Sequence, residues 1–313
     1  RWPARQAGSR HSSPRPILPD AMLYDIRLTL EYDYDAPVHG GRHHIRVVPA
    51  SLPGVQRVVA AGLAVDPAPA RQGGFADFFG NAVTAITLTD PHDRLTIRLS
   101  ARVQVEDQGP LADLSPPLHQ LATEIAQQRS LAPDSPQHFL AASPRVDITP
   151  GITEYARAAA AGQPTTLAAA TALCTAIHRD FAYDPGATDV GTPPAEAFTL
   201  RRGVCQDFAH VMIAGLRGLG IPAGYVSGFL RTNPPPGQPR LEGADAMHAW
   251  VRAWCGRHLG WVWFDPTNAM LAGADHICIG HGRDYADISP IVGVLRTHGS
   301  HRARQSVDVL RVS

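Results

Sequence analysis

The chain has 313 residues, with 28 Lys and Arg residues against 28 Asp and Glu residues, so its formal net charge at pH 7 is zero. This balance excludes the basic excess that is typical of nucleic-acid-binding proteins. Apolar residues make up 44% of the chain and charged residues 18%, a composition typical of globular rather than disordered proteins. No apolar stretch reaches the roughly 18 residues that a membrane-spanning helix needs. We therefore expect a soluble globular protein.

The cysteine content and the N-terminal segment indicate where the protein works. The 4 Cys are too few for a disulfide framework in a chain of this length. They form no CxxC pair, so we expect a reducing compartment and predict a cytoplasmic protein. Residues 1–20 are rich in Arg, Ser and Pro and lack the apolar core of about 7–15 residues that a secretory signal needs. We predict a flexible tail there.

Residues 21–107 have the alternating pattern of β-strands. Apolar and polar residues alternate over 24–32 and again over 95–105, and Pro-Gly, Gly-Gly and Gly-Asn pairs separate shorter apolar runs. Short strands at regular turns predict a β-sandwich of roughly a hundred residues. His43 and His44 are adjacent and would point to opposite faces of a strand, which argues against a metal site among the histidines of this region.

After residue 107 the pattern changes to helices and then to further strands. The predicted helices begin near Leu118, Thr165 and Cys205, and the predicted strands span 223–230, 247–254 and 261–264. A Pro-rich loop at 233–237 separates the first two of these strands. Helices followed by strands predict an α+β catalytic domain over 108–295. We expect the final segment, 296–313, to form a strand that returns to the fold.

Three residues suited to thiol chemistry succeed one another within this domain. Cys205 begins the third helix, His248 lies on a strand, and Asp265 ends the next strand. Unpaired N–H groups at a helix start favour a thiolate, and a neighbouring imidazolium favours it further. The same N–H groups stabilise the oxyanion that forms when sulfur attacks a carbonyl, while a carboxylate fixes the imidazole tautomer. The sequence therefore predicts a Cys-His-Asp triad that needs no metal and no cofactor.

The connection between the two strands supports this grouping. Residues 255–260 are few enough for an antiparallel hairpin. If the turn is centred near residue 257, His248 and Asp265 lie nearly opposite each other.

Three ordered motifs in this region resemble the core of the bacterial transglutaminase-like family. They read Gly-Val-Cys-Gln-Asp-Phe-Ala-His over 203–210, Ala-Met-His-Ala-Trp-Val over 246–251, and Gly-Trp-Val-Trp-Phe-Asp-Pro-Thr-Asn over 260–268. The segment 275–287 resembles the family's stretch C-terminal to these motifs, and residues 24–105 are similar to the β-rich N-terminal domain that often precedes the core. The resemblance implies a papain-like arrangement in which Cys205, His248 and Asp265 form the catalytic triad.

Further residues around the triad are candidates for substrate binding. Trp250 and Trp254 share a strand face with His248, so they could line a groove or fill the core. The loop that carries Asp284 and Tyr285 could border the cleft, as in the family, or be held only by salt bridges. We expect Asp207 to stabilise its helix start and His210 to join helix and sheet. The predicted substrate-binding residues are Gln206, Trp250, Trp254, Asp284 and Tyr285.

The remaining cysteines are predicted to be structural. Cys174 lies on the inner stripe of its helix, Cys255 in a hairpin turn, and Cys278 in an apolar run. No loop has the carboxylate spacing of a calcium site.

The predicted chemistry determines a reaction step rather than a substrate. Thiol attack on a peptide or carboxamide carbonyl releases an amine or ammonia and leaves a thioester. Water as the second substrate gives a protease or amidase, and a primary amine gives a transglutaminase. We predict action on peptide, glutamine-like or isopeptide bonds, with hydrolysis favoured over transfer. The expected partners are a peptide or protein substrate and a primary amine acceptor, not nucleic acid or a membrane. The competing function is a non-catalytic protein that binds peptides on the same fold.

Overall fold

The computed structural model describes residues 21–232, 245–296 and 299–312. The predicted tail at 1–20 and the predicted Pro-rich loop at 233–237 lie outside these described residues. Within them, no helix is both long and apolar enough to cross a membrane. The fold is α+β, as predicted.

The N-terminal part consists of strands that contribute to two four-stranded sheets. Inward-facing side chains of both sheets share one hydrophobic core, because apolar residues such as Ile26 and Leu28 on one sheet and Ile86 and Leu88 on the other are all buried together. This alternation of buried and exposed residues is the pattern that the sequence shows. The strands are β1 (Ala21–Val38), β2 (Gly41–Ile45), β3 (Gln56–Asp66), β4 (Arg71–Ala76), β5 (Ala82–Leu88) and β6 (His92–Glu106).

Helices dominate the chain after the N-terminal strands, and they pack against a further, five-stranded sheet. All three predicted helices are present, and the structure adds two that begin with Pro in their first turn, where the missing N–H costs nothing. The helices are α1 (Leu118–Gln127), α2 (Pro150–Ala159), α3 (Thr166–Asp180), α4 (Pro194–Leu200), α5 (Cys205–Gly218) and α6 (Tyr285–Ile288), with a 3₁₀ turn at Pro136–Phe139. Helix α5 is the central one, buried from Asp207 to Arg217.

The sheet of the predicted catalytic domain, called here the five-stranded sheet, has its strands in the order β12-β11-β10-β9-β13. Its strands are β9 (Ala223–Leu230), β10 (Ala246–Trp254), β11 (Trp261–Asp265), β12 (Met270–Leu271) and β13 (His276–Gly282). All neighbours in the sheet are antiparallel. A separate two-stranded parallel ribbon joins β7 (Ala182–Tyr183) to β8 (Arg202–Gly203), just before the start of α5.

The C-terminal strands return to the N-terminal sheets. Strand β14 (Ile291–Leu295) pairs with β2, although it lies within the range 108–295 that the sequence predicts for the catalytic domain. Strand β15 (His301–Arg311) pairs antiparallel with β1 over eleven positions, from Tyr24↔Arg311 to Tyr34↔His301. The N-terminal sheets are therefore completed by residues from the far end of the chain.

Side-chain amides of the N-terminal part hold the outer edge of β13. The Gln56 side chain accepts from the N–H of Cys278 and donates to its carbonyl, both at 2.8 Å. The Asn81 side chain does the same at His281, with distances of 2.8 and 2.7 Å. Two amide side chains thus take the place of a neighbouring strand at this edge.

Candidate active site

The start of helix α5 is built around a buried carboxylate. The Asp207 side chain accepts from the N–H of Val204 at 2.8 Å and from the hydroxyl of Thr188 at 2.7 Å. A Cβ at Gly203 would lie 2.4 Å from the same carboxylate, so the chain can approach this closely only with Gly at that position. Asp207 therefore fixes where the helix begins and sets Cys205 in its first turn, half-buried.

The two other predicted triad residues meet on one face of the sheet. The His248 Nε2 atom lies 2.8 Å from Asp265 Oδ2. Both side chains are buried, and Asp265 is 0% exposed. Since an ionised carboxylate only accepts, Nε2 carries a proton and Nδ1 is the ring nitrogen left for the Cys205 thiol. The structure therefore brings together the three residues that the sequence predicts.

The hairpin register differs from the predicted one. The turn closes with a hydrogen bond from Cys255 N to Gly260 O, so Val251 pairs with Phe264. One further step sets Asp265 across from Trp250 rather than nearly opposite His248. The two triad residues are thus diagonal neighbours on the same face, a separation of roughly 7–8 Å that long side chains bridge.

Asp265 receives hydrogen bonds from five donors. Oδ2 accepts from His248 Nε2, from His276 Nε2 at 3.0 Å and from Asn268 Nδ2 at 2.7 Å. Oδ1 accepts from the backbone N–H groups of Thr267 at 2.9 Å and Asn268 at 3.2 Å. Burial alone would raise the pKa of Asp265, but the hydrogen bonds from both histidines hold that pKa well below its usual range. The carboxylate is a fixed anion inside the protein.

This anion makes His248 strongly basic. Burial alone would lower the pKa of His248, but hydrogen bonding to Asp265 and to Cys205 raises it to about 10. An imidazole with this pKa is protonated at neutral pH, which favours a negatively charged partner on its other side. The arrangement is suited to a thiolate–imidazolium pair.

His276 is a residue of the site that is absent from the predicted candidates, although it lies in the segment 275–287 that resembles the family. Its Nδ1 accepts from the N–H of Gly273 at 3.2 Å, so its proton lies on Nε2 and is donated to Asp265. The ligand atoms of His248, Asp265 and His276 lie within 4.8 Å of one another, close enough to hold a metal ion. A metal would need the lone pair that Nε2 of His276 lacks in this tautomer. The donor pattern therefore fits a hydrogen-bond network better than a metal centre.

The other cysteines differ from Cys205 in their surroundings. Burial raises the pKa of Cys174, Cys255 and Cys278 to about 12 in each case. All four cysteines lie in the described part of the chain and are free thiols. Since the thiolate is the reactive form, we expect the three buried cysteines to be unreactive in the folded protein.

Burial contradicts a direct substrate contact for three of the predicted substrate-binding residues. Trp250 is 0% exposed and packs against Trp263 and His276. Trp254 is 5% exposed and belongs to the core around helix α5. Asp284 is 0% exposed, because its carboxylate accepts from backbone N–H groups at the start of α6 and at residue 145. These three side chains pack or hydrogen-bond inside the protein and do not line an open cleft.

The two remaining candidates are partly exposed. Gln206 donates from Nε2 to the carbonyl of Val190 at 3.2 Å, beside the nucleophile. The Tyr285 ring contacts the Tyr225 ring in a T-shaped arrangement, and the backbone N–H of Tyr285 donates to Nε2 of the buried His210 at 3.2 Å. His210 thus connects α5 to the segment after the sheet. Their contact with a substrate stays a prediction.

A tyrosine near the nucleophile also has no counterpart among the predicted residues. Tyr183 is 58% exposed, and its strand pairs it with Gly203, two residues before Cys205. Burial of part of the ring and the neighbouring Cys205 raise the pKa of Tyr183. Only the parallel pairing of β7 with β8 brings the two residues together, and a two-residue strand leaves no pattern in the sequence.

A helix-borne thiol that faces a histidine and a carboxylate on an antiparallel sheet is the arrangement of papain-like cysteine enzymes. Family models agree with this class: residues 24–104 match the bacterial transglutaminase-like N-terminal region, and residues 153–266 match the transglutaminase-like superfamily. The chain belongs to this superfamily, whose members are typically cysteine enzymes.

Relatives and solved structures agree with this assignment. The uncharacterized protein Rv2569c of Mycobacterium tuberculosis is 38% identical over 259 residues, 82% of either chain. A protein-glutamine gamma-glutamyltransferase of Pseudomonas aeruginosa is 38% identical over 109 residues, which are 34% of this chain and 16% of that protein. The solved structure of a proposed cysteine protease from Cytophaga hutchinsonii superimposes with a TM-score of 0.67 at 20% identity, covering 94% of this chain and 92% of that one. At this identity the likeness establishes the fold.

Proposed function

We propose that this protein is a cysteine-dependent acyl-enzyme that cleaves peptide or carboxamide bonds, with hydrolysis as its main outcome. The observation that supports this most is the difference among the four thiols. Among the four cysteines, Cys205 alone is half-buried and hydrogen-bonded to a strongly basic histidine. The other three thiols are buried and have pKa values of about 12. A protein that only bound peptides would have no need of this difference.

The proposed reaction has two halves. The Cys205 thiolate attacks the amide carbonyl carbon, and N–H groups in the first turn of α5 stabilise the oxyanion. His248 donates its proton to the leaving nitrogen, so that an amine or ammonia departs and a thioester remains. His248, now neutral, takes a proton from water as the water attacks the thioester. The C–S bond then breaks, which releases the acid product and restores the Cys205 thiolate beside the protonated His248, while Asp265 stays ionised throughout.

Transfer to an amine is the competing outcome. It would use the same thioester, with a primary amine in place of water. Since the chain contains no Lys, its own side chains offer no amine acceptor, and a transfer product would carry the added amine. The partial match to a bacterial glutamyltransferase keeps this outcome in the test.

The experiment offers a library of peptides and γ-glutamyl amides with and without an added primary amine, with products read by mass spectrometry. We expect acid products that depend on Cys205, and at most a minor amine adduct. Cys205→Ala should lose turnover completely, whereas Cys255→Ala, which removes a buried thiol in the hairpin turn, should keep it. Turnover by Cys205→Ala would refute the proposal. Peptide binding without turnover, equal in the parent and Cys205→Ala, would favour the non-catalytic function.

A further inference from the structure

We propose that His276 is a positioning residue of the catalytic machinery, which holds the Asp265 carboxylate in the orientation that His248 requires. The inference rests on the proposed function and deepens it. His276 is 3% exposed, and its Nε2 lies 3.0 Å from the same carboxylate oxygen that His248 approaches at 2.8 Å. One anion thus lies between two imidazoles.

The tautomer of His276 gives this contact a direction. Gly273 donates its N–H to Nδ1, so the ring donates from Nε2 to the Asp265 carboxylate. His248 donates from Nε2 as well, but it also exchanges a proton during the reaction. His276 is therefore the constant donor that keeps Oδ2 directed at both rings while His248 changes its charge.

Packing holds both rings in place. The Trp250 ring lies 5.2 Å from the His276 ring at an interplanar angle of 79°, and 6.2 Å from the His248 ring. Trp250 is fully buried, so it acts as a wedge that fixes the orientation of both imidazoles. The strand that carries His276 is in turn held by Gln56 and Asn81. The support thus extends from the N-terminal sheets to the triad.

The titratable groups that face the hydrogen-bonded pair of His248 and Asp265 come from several elements. Helix α5 contributes Cys205, strand β13 contributes His276, and helix α3 contributes Cys174, whose thiol is influenced by the charge of Asp265. Cys174 keeps its proton at neutral pH, since its pKa is about 12. Strands β7 and β9 add Tyr183 and Tyr225, whose pKa values are raised by burial and by the neighbouring Cys205, so both keep their protons in acid. The acid limb of Cys205 reactivity therefore reports on the Cys205–His248–Asp265 pairing.

The test measures the pH dependence of Cys205 alkylation by iodoacetamide, read by mass spectrometry, in the folded full chain. His276→Phe keeps a buried ring but removes the donor. We expect the acid limb to move to higher pH and the rate at pH 7 to fall about 10- to 100-fold, because a loosened carboxylate stabilises the imidazolium less. His276→Gln can present an amide N–H near the position of Nε2 and should restore most of the rate. With a cleaved substrate, kcat should fall while KM stays unchanged.

His281→Phe is the matched control. His281 is a second histidine on β13, and its Nε2 has no hydrogen-bond partner among the described residues. Its replacement should leave the alkylation profile in place even if the melting temperature falls as far as in His276→Phe.

Two results would overturn the inference. One is an alkylation profile of folded His276→Phe that superimposes on that of the parent. The other is a His276→Gln variant as slow as His276→Phe, with both effects tracking lost stability. If Cys205 of the parent reacts no faster than the buried cysteines, the proposed function itself fails. That failure is distinguishable from failure of the inference about His276, because it is measured on the parent protein alone.

Discussion

Asp265 determines the chemistry of the site at the scale of single residues. A buried carboxylate is costly unless its lone pairs are satisfied, and here side-chain and backbone donors share both oxygens. The result is an anion that does not take up a proton in the physiological range. This anion stabilises the protonated form of His248, which in turn faces Cys205, the only half-buried thiol among the four cysteines.

Alkylation of the parent protein tests this assignment. At pH 7 we expect iodoacetamide to modify Cys205 first and to leave Cys174, Cys255 and Cys278 unmodified until the chain unfolds. His248→Ala should slow the reaction at Cys205 by about 10-fold or more, because the imidazolium no longer stabilises the thiolate. Peptide mapping by mass spectrometry tracks each site, and urea-unfolded protein provides the control in which all four react. Equal rates at all four sites in the folded protein would contradict the assignment.

The sequence predicts some of these residues and not others, for a physical reason. Cys205, His248 and Asp265 stand next to recognisable helix and strand boundaries, so local patterns suffice to group them. His276 reaches the same carboxylate only because β13 pairs with β9, a long-range contact that no local pattern encodes. Trp250 is predicted on the same strand face as His248, but the local sequence does not reveal that Trp250 is fully buried on this face and cannot line a groove.

At the scale of elements, the same distinction holds. Helix α5 has a strong apolar pattern and ends before Gly220, so its bounds can be predicted from the sequence. Helix α4 is only seven residues long and β7 only two, too short to show a period. The predicted hairpin register is displaced because the sequence gives the length of a turn but not which backbone bond closes it.

Removal of the Asp207 carboxylate should weaken the start of helix α5. Asp207→Ala leaves the N–H of Val204 and the hydroxyl of Thr188 without their acceptor, which should cost about 1–2 kcal/mol in the free energy of unfolding. Urea unfolding monitored by circular dichroism measures the change. Glu196→Ala removes an exposed carboxylate from the first turn of α4 and should change stability by less than about 0.5 kcal/mol. Equal effects of the two substitutions would mean that Asp207 only adds charge near a helix start.

At the scale of the whole molecule, the N-terminal sheets and the five-stranded sheet support each other. Phe229, Ile277 and Ile279 of the five-stranded sheet belong to the same apolar core as the N-terminal strands. Gln56 and Asn81 add hydrogen bonds to the outer edge of β13. The N-terminal part therefore covers an edge that would otherwise expose unpaired backbone groups beside the active site.

Gln56→Ala should destabilise this contact. The substitution removes the hydrogen bonds to Cys278 and to the carbonyl of Ala50, and it leaves the buried N–H of Cys278 unpaired. We expect a loss of about 1–3 kcal/mol in the free energy of unfolding. Hydrogen exchange at the Cys278 amide should also become faster. Gln72→Ala, on the exposed strand β4, is the control and should leave both measurements unchanged; a Gln56→Ala protein with parental exchange at Cys278 would contradict this account of the edge.

Buried neutral histidines should make the whole fold sensitive to acid. Burial lowers the pKa of His210 to about 4, from 6.5 in the unfolded chain. Below pH 6.5 the unfolded state therefore binds more protons than the folded state, so stability falls as the pH drops from 6.5 towards 4. A shift of this size corresponds to about 3 kcal/mol once the pH is below both values. His281, with its pKa lowered by burial to about 3, adds a larger contribution over a wider range.

His210→Gln isolates the contribution of one histidine. A Gln carbonyl can accept the N–H of Tyr285 in place of Nε2 but does not titrate, so stability at pH 7.5 should stay close to that of the parent. The loss of stability between pH 7.5 and pH 4.5 should be smaller in the variant by roughly 2 kcal/mol, measured by urea unfolding at both pH values. His119→Gln, at an exposed position on α1, should keep the full acid sensitivity of the parent. If His210→Gln loses as much stability as the parent over this range, acid sensitivity arises elsewhere, and folding does not lower the pKa of His210.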